Sequence, residues 1–135
     1  MNGIPAGMKV LFIAGDFAED YEVMVPYHQL LMVGIAVDVT SPTCTKDNMA
    51  FQTAIHDFEG YQTYTEKLGH KFTTNKLWSE VKLEEYDGIY IPGGRAPEYL
   101  RLRDDVNEAV KWFSTNNKVI AAVCHGPLLL ASAGV

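Results

Sequence analysis

The run Ala122-Val123-Cys124-His125-Gly126-Pro127 carries the strongest chemical signal in the chain. It follows one apolar stretch, precedes another, and reads small–x–nucleophile–x–small. Those are the sterics of a nucleophile elbow: small residues two positions either side let the chain turn sharply and force the middle side chain outward. Such turns commonly hold the nucleophile in a strained backbone conformation. A thiol there meets the unpaired N–H groups and the positive end of the following helix, and both favour the thiolate. The amide after it is placed to help bind an oxyanion. The competing reading of Cys124 is an inert core cysteine, since free cysteine is commonly buried. His125 stays open on chemistry alone, as a base, a thiolate partner or a surface residue. It becomes a credible acid/base only with an orienting carboxylate.

Two carboxylates are expected near that turn, Glu22 and Glu98. Each also has an ordinary reading as an acid favoured by a helix N-terminus. Glu19, Asp20, Glu84 and Glu85 read as a solvated face. Gly93-Gly94 offers loose backbone donors beside the elbow, or simply a tight turn. No G-x-G-x-x-G is present, so this is not a dinucleotide fingerprint. The four histidines, His28, His56, His70 and His125, show neither H-x-x-x-H nor C-x-x-C spacing with a partner, so no metal site is expected. Cys44 and His56 are better read as a loop cysteine and a packed histidine than as ligands. Tyr61, Tyr64, Phe72 and Trp78 read as packing rather than a stacking platform.

The elements that must position these groups follow from hydropathy. Lys9–Ala14, Gly88–Pro92 and Val119–Val123 are short, nearly continuous apolar runs, as in strands buried on both faces. Ala36–Thr40 reads as another strand, ended by Ser41-Pro42. Tyr27, Leu30, Leu31 and Gly34 fall at helical spacing. Pro26 is tolerated only in a first turn, which predicts a helix that starts near Met24 or bends there. Asp105-x-x-Glu108 has the spacing of a capping box. Val106, Ala109, Val110 and Phe113 then mark one helix face, stopped by Asn116-Asn117. Pro127 opens a last apolar helix at its first position. The segment at about 41–86 reads as an insert, in which Gly60–Tyr64 and His70–Thr73 suggest a small hairpin or lid. Strands alternating with helices predict a flavodoxin-like, doubly wound parallel sheet, a three-layer α/β sandwich. In such sheets the ligand site lies beyond the carboxyl ends of the strands, where Gly15–Glu22, Gly93–Glu98 and Cys124–Pro127 fall.

Composition bounds the rest. At 135 residues, 47% apolar and 21% charged, the chain reads as one globular domain. No apolar run approaches the roughly 18 residues of a membrane span. The first residues lack a signal-peptide pattern, and two cysteines make no disulfide framework, so a reducing cytoplasm is the expectation. A net charge of −6 disfavours nucleic acid and anionic membrane as partners.

Three segments carry a resemblance: Gly15-Asp16-x-x-Glu19-Asp20-Tyr21-Glu22-Val23-Met24-Val25-Pro26, Ile91-Pro92-Gly93-Gly94-Arg95-Ala96-Pro97-Glu98, and Ala122-x-Cys124-His125-Gly126-Pro127. Together they resemble the DJ-1/PfpI superfamily, of the class I glutamine amidotransferase-like fold, which includes intracellular cysteine peptidases, protein deglycases and glutathione-independent glyoxalases. The middle segment, Ala54–Phe58 through Gly69–Thr73, looks like the insert of plant-type glyoxalase III members. The resemblance implies Cys124 as nucleophile and Glu22 as the acid whose shared proton tunes the sulfur. It implies His125 as acid/base and Glu98 as its orienter, from the same or a neighbouring subunit. The backbone around Gly93, Gly94 and Gly126, chiefly the amides of Gly94 and His125, would face substrate as an oxyanion site. It implies a cofactor-free conversion of 2-oxoaldehydes to 2-hydroxy acids, or deglycase action on their adducts. The alternatives are a peptidase or amidase acting on a peptide substrate, and a redox-sensing or chaperone-like module. Dimers or hexamers are the implied assembly.

Family domains run several elements past the elbow, whereas eleven residues follow Cys124 here. Pro127–Ala133 is apolar nearly all round and should be buried on every side. The expectation is therefore the N-terminal two-thirds of a single domain, residues 1–135, C-terminally incomplete and completed by further chain or a second chain.

Overall fold

The computed structural model describes residues 3, 6–56 and 65–135. Four strands, β1 (Lys9–Ile13), β2 (Ala36–Thr40), β5 (Gly88–Ile91) and β6 (Val119–Ala122), form one parallel sheet in the order β2-β1-β5-β6. β1 is central: Leu11 lies opposite Asp38 of β2 and Ile89 of β5. Leu11, Phe12 and Ile13 are consecutive and all buried, because both faces of the sheet are covered. Helix α1 (Asp20–Met32) covers one face, and α3 (Asp104–Thr115) packs on β5 and β6. Right-handed crossovers place α1 and α3 on opposite faces, giving the flavodoxin-like three-layer α/β arrangement. Val106, Ala109, Val110 and Phe113 of α3 are all buried, as their spacing predicts. Each large apolar side chain so buried contributes about 1.5–3 kcal/mol.

Between β2 and β5 the chain forms an antiparallel hairpin, β3 (Ala50–His56) and β4 (Glu66–Thr73), followed by two short 3-10 turns. Its strands differ from the expected pairing, in that Ala50–His56 partners the His70–Thr73 region. Gly60–Tyr64, with Tyr61 and Tyr64, lies outside the described residues. Phe72 stacks on Phe51 and meets Tyr27 of α1 edge-on, which seats the hairpin on the helix. Trp78 donates its indole N–H to Asp105 at 2.7 Å.

Several local expectations need correction. α1 starts at Asp20, ahead of Met24, because the Glu19 carboxylate caps it by accepting the Glu22 amide at 2.9 Å. Pro26 therefore lies inside the helix and leaves the Glu22 carbonyl without its i+4 donor. The Tyr90 hydroxyl of β5 donates to that carbonyl at 2.8 Å. Tertiary structure thus supplies the donor that proline removes. Asp105 does not cap α3; the helix begins at Asp104, and the Asp105 carboxylate binds Arg103 and Trp78 instead. β6, at the edge of the sheet, is not buried on both faces: its residues alternate between exposed and half-buried, and Val119 is 67% exposed. In α4 (Pro127–Ala133) only Leu129 is buried, while Leu128 is exposed.

Candidate active site

Parallel strands deliver their carboxyl ends to one edge, and three loops meet there: that before α1, that after β5, and the turn after β6. Short α2 (Ala96–Leu100) follows the β5 loop. Cys124 adopts the left-handed conformation, φ +57°. For a residue other than glycine that costs about 1–3 kcal/mol. Two backbone bonds over-determine it: Val123 N–H to Ile91 C=O at 3.2 Å, and Gly126 N–H to Val123 C=O at 2.8 Å. Gly126 must be small, since a Cβ there would lie 2.4 Å from the Ile91 carbonyl oxygen. The turn leaves the Cys124 side chain exposed.

The Cys124 side chain and the half-buried Glu22 carboxyl converge over Gly93. Glu22 Oε2 also accepts the Gly93 amide at 2.7 Å. Burial pushes the Glu22 carboxyl above its usual range and Glu19 pushes the same way, while donation from Gly93 and Cys124 pulls against them. Gly93 makes this approach possible: a Cβ there would lie 2.5 Å from Cys124 Cβ and 2.6 Å from Glu22 Oε2.

The His125 ring lies beside Glu98. Its Nδ1 is closed off from solvent and sits 3.3 Å from Glu98 Oε1, close but without hydrogen-bond alignment. Glu98 stands in the first turn of α2, in the same chain as His125. The Gly93 and Gly126 amides are already taken by Glu22 and Val123, so these glycines shape the site rather than donate into it. Among the described residues, the amides of Gly94 and His125 have no acceptor.

Glu19 and Asp20 are not on a solvated face: they are 4% and 5% exposed. Glu19 caps α1 and accepts the His56 amide at 3.4 Å. Asp20 accepts from the Thr53 hydroxyl, and from the amide and ring of His70. Burial raises the Asp20 carboxyl, yet these donors together hold it below its ordinary value. The hairpin is thereby fastened two residues from Glu22. Sequence spacing hints at the cap, three residues ahead of Glu22, but nothing local marks Asp20 as buried. Arg95 also went unmarked; it bridges Glu66 and Glu98. Cys44 is half-buried, and burial raises its thiol despite a hydrogen bond from Ser41. Among the described residues no three His, Cys, Asp or Glu side chains gather as a metal site, and no helix is long and apolar enough to cross a membrane.

Several known proteins are similar to this chain. Protein DJ-1 homolog D of Arabidopsis thaliana is 53% identical over 124 residues, covering 92% of this chain and 32% of that protein. Deglycase PfpI of Pyrococcus furiosus is 34% identical over 128 residues, covering 95% of this chain and 67% of that protein. The structure of oxidized Toxoplasma gondii DJ-1 superposes with a TM-score of 0.73 at 27% identity, covering 94% of this chain and 61% of that one. The chain thus spans about a third of the length of the Arabidopsis relatives it matches. Residues 8–135 match the DJ-1/PfpI family, and the chain belongs to it.

Proposed function

We propose that this chain carries a cofactor-independent, cysteine-centred activity on small 2-oxoaldehydes such as methylglyoxal, converting them to 2-hydroxy acids. The same thiol chemistry extends to the adducts that such aldehydes form with amines and thiols. The observation that carries this reading is the exposed Cys124 thiol, held on a left-handed residue beside the half-buried Glu22 carboxyl. Relatives named as deglycases, in Pyrococcus furiosus and Pyrococcus abyssi, support an enzymatic role at family level.

In this reading the Cys124 sulfur attacks the aldehyde carbon, C1, and forms a C–S bond. The carbonyl oxygen becomes an oxyanion facing the free amides of Gly94 and His125. One such donor is worth about 3 kcal/mol. Glu22 or His125 takes the C1 proton to give an enediol and returns a proton to C2. C1 becomes a thioester carbonyl. Water then cleaves the thioester, releasing the 2-hydroxy acid and regenerating the thiol; no external oxidant or reductant is consumed. Proton transfer by a positioned group supplies about 10²–10⁴-fold. Glu98 beside His125 Nδ1 leaves Nε2 as the nitrogen for that work.

The test is lactate formation from methylglyoxal in the absence of glutathione. Cys124→Ala is expected to abolish it. Unchanged turnover in that variant, or faster cleavage of a fluorogenic peptide than of the aldehyde by the parent, overturns the reading.

A further inference from the structure

We propose that Arg95 is a positioning residue for the cysteine site, gripping Glu98 beside His125 with one edge of its guanidinium and the start of β4 with another. Glu98 Oε1 lies 3.3 Å from both Arg95 Nη1 and His125 Nδ1. The same guanidinium donates from Nε to Glu66 Oε1 at 2.9 Å, and that oxygen lies 3.6 Å from His56 Nε2. Glu66 is the first residue of β4 and His56 the last of β3, so the grip reaches the end of the hairpin where β3 stops and β4 starts.

The backbone fixes where Arg95 stands. Its amide donates to Phe17 C=O at 2.7 Å, and its carbonyl accepts the Glu98 amide at 3.0 Å. The two side chains therefore share one face of the first turn of α2, at i and i+3. Left alone, Glu98 is an exposed, rotamer-rich side chain on a five-residue helix, with little else to hold it. His125 Nδ1, closed to solvent, depends on where that carboxylate rests. A planar fork satisfies two carboxylates in fixed directions, which the point charge of lysine does not. Exposed ion pairs add little to stability, so a stabilising role does not explain the arrangement.

The consequence for turnover rests on the aldehyde reading above; the placement of Glu98 does not. The test compares Arg95→Gln and Arg95→Lys in the intact protein, with Arg103→Gln as a surface control. Two readouts are used: methylglyoxal kinetics without glutathione, and the ring-nitrogen NMR resonances of His125. We expect Arg95→Gln to lower kcat about tenfold with KM within about twofold, and Arg95→Lys to recover only part of the loss. The melting temperature stays within about 2 °C. Glu98→Gln added to Arg95→Gln brings no further loss, because the two act as a unit. The His125 Nδ1 resonance moves in Arg95→Gln and not in Arg103→Gln. Parental kcat in Arg95→Gln, or losses for Arg95→Gln and Glu98→Gln that multiply, overturns the proposal. Should the parent turn over no aldehyde, the aldehyde reading fails by itself. The spectrum then decides: an unmoved Nδ1 resonance refutes the grip, and a moved one upholds it.

Discussion

Gly93→Ala tests whether the thiol–carboxyl pair must meet as closely as it does. The added methyl would lie 2.5 Å from Cys124 Cβ, 2.6 Å from Glu22 Oε2 and 2.8 Å from Cys124 Sγ. Ordinary contact begins at 3.4 Å, so the tightest neighbour must retreat by about 0.9 Å. Cys124 Cβ cannot slide away freely, since its turn is pinned by the Val123 and Gly126 bonds. Glu22 cannot swing off without losing the Gly93 amide. A misplacement near 1 Å costs about 10²-fold in rate. Overpacking of this kind costs about 1–3 kcal/mol, or roughly 3–9 °C of melting temperature in a domain this size. Gly3→Ala is the matched control, as no atom of the described residues lies within 4 Å of its added Cβ. The assay is kcat/KM for methylglyoxal at 25 °C, beside the rate of Cys124 alkylation by iodoacetamide. Both should fall in Gly93→Ala and hold in Gly3→Ala. A Gly93→Ala protein with kcat/KM within threefold of the parent would refute the argument that this close approach matters.

Two further outcomes concern the scaffold under the site. Tyr90→Phe strands the Glu22 carbonyl that Pro26 leaves without a donor, and should cost about 1–3 kcal/mol in urea unfolding. Pro26→Ala restores a backbone N–H, so the Tyr90→Phe penalty should shrink in that background; an equal penalty in both would sink the account. Thr53→Val removes a donor from the buried Asp20 carboxylate and should cost about 1.5–3 kcal/mol near neutral pH. Asp20 titrates below its ordinary 3.8 when folded, so its contribution is present above the unfolded value and fades as pH falls through the folded one. The gap between parent and Thr53→Val should therefore narrow in acid; a gap that widens there contradicts this reading.

β1 and β5 were legible because each is a short apolar run, and strands covered on both faces demand such runs. The elbow was legible for a similar reason. Its requirement for small residues is steric and largely local, and Gly126 shows it: a Cβ there would lie 2.9 Å from the Val123 carbonyl oxygen. The start of α1 was not legible: Pro26 argues for a later start, and only the Tyr90 hydroxyl, 68 residues away, makes the earlier one tolerable. Glu19 and Asp20 read as solvated for the same kind of reason. An acidic run is normally wet, and the donors that permit its burial come from the hairpin, more than thirty residues downstream.

What the amino-acid order determined by itself was therefore the alternation of strands and helices, the sharp turn at Cys124, and the set of loops that must gather at one sheet edge. Each depends on hydropathy period or on sterics within a few residues. Tertiary structure alone decided which groups touch: Glu22 against Gly93, 71 positions away, and against Cys124 beyond it. It also decided that the Glu22 carboxyl is half-buried and that Arg95 reaches two carboxylates at once. Desolvation and long-range donation depend on how separate segments converge, and no local pattern encodes that convergence.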